Sequence, residues 1–98
     1  MGKYLLAYTG GGMAQTDEER EAVMAAWGQW FGSLGSAIVD PGNPCGDSRA
    51  LGNASSGGLT GYTVLSADSL DDAAKLAEGC PVLANGGGVE VYETIEVM

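Results

Sequence analysis

The chain has 98 residues, enough for one domain (1–98) with a real core but with much surface left to cover, so self-association is expected. Thirteen acidic residues against four basic ones, for a net charge of −9 and no Lys/Arg cluster, argue against nucleic acid and anionic membranes as partners. Cys45 and Cys80 lack C-x-x-C spacing, the chain has no histidine and no apolar leader, and the two thiols are read as reduced in a cytoplasmic protein.

From Lys3 to Thr9 (KYLLAYT), Tyr4, Leu6 and Tyr8 alternate with Leu5, Ala7 and Thr9, the pattern of a strand covered on both faces. Gly10-Gly11-Gly12 breaks the strand. Thr16 then stands three residues before Glu19, as in a capping box, and Asp17 and Glu18 add negative charge at a helix start. A helix is predicted from Asp17 to Leu34, with Val23, Ala26, Trp27, Trp30, Phe31 and Leu34 forming one buried stripe. Gly28 and Gly32 sit on its flank, each costing about 1 kcal/mol relative to alanine, and read either as room for a close backbone approach from another element or as tolerated defects.

Gly35 ends this helix, Ser36 to Asp40 (SAIVD) reads as a second strand, and Pro41 to Thr60 is a loop of the length that is commonly functional or mobile. Gly61 to Ser66 is the third strand. Asp68 is expected to cap a short helix, SLDDAAKLAE, that lines up Leu70, Ala73, Ala74 and Ala77. Gly79 reads as the helix C-cap, with Pro81 blocking continuation. Val89, Val91, Ile95 and Val97 then alternate with Glu90, Tyr92, Thr94 and Glu96 in a fourth strand, interrupted by Glu93. The order β-α-β-β-α-β predicts an α+β, ferredoxin-like domain with a four-stranded antiparallel sheet and both helices on one face. Apolar residues on the other face, Tyr62, Val64 and Tyr92 among them, predict a second copy as its cover and so a homodimer.

Motifs that carry chemistry are sparse. Cys80 lies at an expected helix C-terminus, where the negative dipole end disfavours a thiolate, and Cys45 has Arg49 nearby but no histidine base. Gly10 to Gly12 lies between strand and helix, but the dinucleotide pattern lands on Gln15 and no P-loop lysine follows. Gly86 to Gly88 precedes a strand and offers an anion no helix N-terminus. No metal site and no cofactor are expected; Asp68, Asp71 and Asp72 read as acids at a helix start. Trp27 and Trp30 fall on the core stripe and read first as core. The alternative is that one indole lines a pocket between helix, sheet and long loop, which makes Trp27, Tyr8, Asp40 and Tyr62 the ligand-binding candidates for a small organic molecule. Asp40, Tyr8 and Tyr62 are the groups to consider as a base, with Asp40 the catalytic candidate.

The segments KYLLAY, AVMAAWGQWFGSLG, VDPGNP, GLTGYTVLSADSLDDA and LAEGCPVLANGGGVEVYE span nearly the whole chain, and in that order they resemble the YCII-related family of small ferredoxin-like domains. The resemblance implies subunits that pair as a dimeric α/β barrel. The DGPF tetrapeptide of one large branch is absent, with SGGLTGYTV in that region. Trp27 stands where some members carry a histidine proposed as half of an acid/base pair, and Asp40 stands near the position of its aspartate partner. The implied protein is a small-molecule-binding homodimer of unassigned function. A second expectation comes from the likeness of that architecture to muconolactone isomerases, cofactor-free monooxygenases and a dehydrochlorinase-type activity: an enzyme moving a proton on a small aromatic or lactone substrate.

Overall fold

The computed structural model describes residues 2–10, 16–55 and 58–97. Gly11, Gly12 and Gln15, on which part of the dinucleotide reading rests, lie outside them, as does the Ser56-Gly57 start of the region replacing DGPF. Four strands, β1 (Gly2–Thr9), β2 (Ile38–Asp40), β3 (Leu59–Ala67) and β4 (Gly88–Glu93), form one sheet in the order β2-β3-β1-β4. Every neighbouring pair is antiparallel, and β1 is central, paired with β3 and β4. Among the described residues, three α-helices accompany it: α1 (Asp17–Leu34), α2 (Leu70–Ala77) and the short α3 (Pro81–Ala84). The architecture is α+β and compatible with a ferredoxin-like fold.

Strand register sorts the side chains into two faces. Leu6 stands opposite Thr63 and Val91, whereas Leu5 stands opposite Val64 and Tyr92. The helices cover the first set: Leu6, Leu65 and Thr63 are fully buried, and Trp30, Leu34, Ala77, Cys80 and Val82 pack with them. Trp30 is the main bridge from α1, since its indole N–H donates to the Leu76 carbonyl at 3.1 Å. Gly79 makes room for that ring, because a Cβ there would come within 3.0 Å of Trp30 Cδ1. On the opposite face Ala7 is buried, Leu5, Tyr62 and Val64 are half-buried, and Tyr92 is exposed. Among the described residues, no helix is long and apolar enough to cross a membrane.

Helix α1 spans the predicted residues, and the Thr16 hydroxyl accepts from the Glu19 N–H at 3.1 Å. Its stripe is only partly enclosed: Trp30 and Leu34 are buried, while Val23, Ala26, Trp27 and Phe31 are half-buried. No described atom lies within 4 Å of a Cβ built on Gly28 or Gly32, so among the described residues no other element makes a close approach there.

The other elements differ from expectation for local reasons. A 3-10 turn, Gly35–Ala37, takes the start of the predicted second strand. Ser69 rather than Asp68 caps α2, because Ser69 stands three residues before Asp72 and its hydroxyl accepts from the Asp72 N–H at 3.1 Å. Pro81 does stop α2, but it also opens α3, where the missing N–H of a first helical residue is no loss. Strand β4 ends at Glu93; the Thr94 N–H and hydroxyl both bond the Lys3 carbonyl, at 3.1 and 2.8 Å, and Ile95 and Val97 lie exposed beyond.

Candidate functional site

After β2 the chain kinks through a tight turn at Gly42 and continues in the same direction along the edge of β3, where Pro44 pairs with Gly61. The Asp40 carboxylate accepts from the Gly42 N–H at 2.8 Å, which closes the turn. Gly42 has a φ of +76°, and any Cβ there would overlap the Tyr62 carbonyl oxygen, so the turn requires glycine twice over. Beyond it, the Tyr62 N–H donates to the Asn43 carbonyl at 3.3 Å and the Cys45 N–H to the Thr60 carbonyl at 3.0 Å. The first part of the long loop is thereby held against the sheet.

Between this loop and α1 lies a cavity of about 380 Å³. Tyr8, Trp27, Phe31, Asn43, Tyr62 and Val82 are prominent in its wall, which among the described residues contains no Asp, Glu, Lys or Arg. The rings of Trp27 and Tyr8 meet edge to face, 5.2 Å apart at 71°, and Phe31 lies 5.7 Å from Trp27 at 44°. Gly61 lets the Tyr8 ring pass close to β3, since a Cβ there would stand 3.3 Å from Tyr8 Cδ2.

Beneath the rings runs a chain of hydrogen bonds. The Tyr8 hydroxyl donates to Thr63 Oγ1 at 2.6 Å, and Thr63 Oγ1 donates to the Pro41 carbonyl at 2.9 Å. One buried hydroxyl therefore ties the central strand to the lip of the pocket. Burial pushes the Tyr8 phenol well above its ordinary value; the bond to Thr63 opposes this, and Cys80 adds to it. Burial likewise pushes the Cys80 thiol up, against hydrogen bonds to the Val82 backbone and to Tyr8. Near neutral pH, Tyr8 is accordingly a hydrogen-bond donor, and neither group is a ready base or nucleophile.

Three of the four sequence candidates, Tyr8, Trp27 and Tyr62, line this cavity. Asp40 does not. It is exposed, its carboxylate is engaged by the Gly42 N–H, and its register partner is Val64, a residue of the open sheet face. Cys80 is buried, follows the end of α2 and has a raised thiol pKa, as expected of an unreactive position, but burial rather than the helix dipole is the first cause, and the residue also opens α3. Sequence reasoning missed Phe31, Asn43, Thr63 and Val82. Phe31 was within reach, being four residues from Trp27 on the same helical stripe. Thr63 becomes visible only once the register sets it opposite Leu6 on the helix-covered face.

Among the described residues, no three His, Cys, Asp or Glu side chains gather where they could hold a metal ion. Comparison with protein-family models, curated proteins and solved structures found nothing that matches this chain.

Proposed function

We propose that the protein is a homodimer of the YCII-related kind that binds a small organic molecule in the pocket between α1, β3 and the Pro41–Pro44 lip. The observation that carries this reading is the aromatic, uncharged wall around a cavity of about 380 Å³. That volume falls within the range of ligand pockets, which are mostly apolar with a few polar groups to orient the guest. The Trp27 indole N–H and the Asn43 side-chain amide form no hydrogen bond with another described residue, and both are free to orient a ligand. Binding is favoured over proton-transfer catalysis because Asp40 stands outside the pocket and the Tyr8 phenol is pushed up. A second copy, laid against Leu5, Ala7, Val64 and Tyr92, would cover the apolar part of the open sheet face. The free thiols Cys45 and Cys80 accord with a reducing cytoplasmic setting.

Native mass spectrometry together with tryptophan fluorescence against a panel of small aromatic compounds tests both parts. The expected result is a dimer whose Trp27 emission is quenched by at least one compound, and a Trp27→Phe variant that loses that quenching while Trp30 still reports the fold. Val64→Asp is expected to yield a folded monomer. Light scattering that finds a monodisperse wild-type monomer at micromolar concentration sinks the dimer. Quenching unaltered in Trp27→Phe moves the ligand elsewhere.

A further inference from the structure

We infer that the pocket selects an organic cation, such as a quaternary ammonium group carried on a small apolar body, over an uncharged molecule of the same shape and over an anion. The inference rests on the reading of this cavity as a ligand site and adds the charge class of the guest.

Two independent observations point the same way. The first is the wall itself. Tyr8, Trp27 and Phe31 line the cavity from the helix-covered side, and the pairs that meet there do so edge to face or tilted, not stacked flat. Ring faces not covered by stacking present the negative side of the aromatic quadrupole, to which a weakly hydrated cation is attracted. The second is the charge around the cavity. None of the four basic residues, Lys3, Arg20, Arg49 and Lys75, lines it. Two of them are engaged elsewhere: Arg20 pairs with Asp17 at 3.2 Å, and Arg49 donates to the Ser48 carbonyl at 2.9 Å. The chain as a whole carries −9. An anion would give up its hydration in a largely apolar cavity with no counter-charge, whereas a cation arrives along a favourable field.

The test is an amide NMR titration of the ¹⁵N-labelled protein with three probes of similar shape. They are benzyltrimethylammonium, its uncharged all-carbon isostere neopentylbenzene, and 3-phenylpropanoate. Shifts are followed at Gly42, Gly61 and Thr63 around the cavity. The cation is expected to bind about two- to thirtyfold more tightly than the isostere, with the anion weakest. Trp27→Leu should bring the ratio of cation to isostere towards one, and Trp27→Phe should retain part of it, whereas a merely greasy wall would weaken both probes together. Equal binding of cation and isostere, or an anion that binds as well as the cation, overturns the charge preference and leaves the pocket standing. Failure of all three to shift those amides overturns the pocket along with it.

Discussion

Replacing Thr63 by valine removes one oxygen atom and almost no volume, and it cuts the hydrogen-bond chain at its middle. The Tyr8 hydroxyl, in a residue only 5% exposed, loses the acceptor it now holds at 2.6 Å. An orphaned buried donor costs about 1–3 kcal/mol. The Pro41 carbonyl loses its donor too, but Pro41 is exposed and water can replace the bond. The added methyl group offsets up to about 0.8 kcal/mol, and Cys80, a weak acceptor beside the phenol, recovers a little more. The net expectation is a loss of about 1–2 kcal/mol, read by urea denaturation. Each kcal/mol should lower the melting temperature by about 4–8 °C in a domain of this size. The double variant Tyr8→Phe/Thr63→Val removes donor and acceptor together, so it should be more stable than the sum of the single losses implies, with a coupling of about 1 kcal/mol. A Thr63→Val protein within about 0.5 kcal/mol of wild type, or a strictly additive cycle, would show that the chain contributes nothing to the fold.

Gly42→Ala forces a side chain into a left-handed turn and onto the Tyr62 carbonyl. It is expected to cost about 1–3 kcal/mol and to weaken pocket binding, whereas Gly46→Ala, which meets nothing within 4 Å, should do neither in the same denaturation and titration assays. Thr16→Ala removes the cap of α1 and should cost about 1 kcal/mol by denaturation, with ligand affinity unchanged. Cys80 has a thiol pKa raised in the fold above its ordinary 9.0, so above that pH the unfolded chain has released a proton that the folded chain keeps. Stability is then fully present below about pH 9 and falls as pH rises towards the folded pKa, by no more than about 1.4 kcal/mol per pH unit for one proton. A Cys80→Ala variant should show a shallower decline over that window in denaturation series at pH 8 to 10, and equal slopes would remove the thiol from the account.

Local pattern was enough to read α1 with its Thr16 cap, the strand character of β1 and β3, and the antiparallel α+β order, because each depends on residues a few positions apart. The same local reading placed the helix cap at Asp68 and treated Pro81 only as a stop, since neighbouring residues compete for one role and spacing alone does not arbitrate. At the pocket, Tyr8 and Trp27 were legible as aromatics on the covered side of a strand and a helix. For Asp40 the sequence leaves the outcome open, because a carboxylate two residues before a glycine N–H can close a turn on itself, and nothing in the run VDPG says whether it does so or reaches inward. Thr63 was invisible for a different reason: its importance comes from strand register and from a carbonyl in a loop, both set by parts of the chain far from it.

The placement of β1 has a kinetic consequence. This strand comes first along the chain, yet both of its neighbours come late, with Leu5 facing Val64 on one side and Tyr92 on the other. During synthesis its apolar row Tyr4, Leu6 and Tyr8 must wait, unpaired, until β3 has emerged, and on its other side until β4 has. Native pairings of such long range make collapse a late and concerted event and leave a sticky nascent segment in the interval. Fusing a copy of the β4 segment ahead of β1 through a short flexible linker would supply the missing neighbour at the outset. It should accelerate refolding in stopped-flow experiments and reduce aggregation of the growing chain.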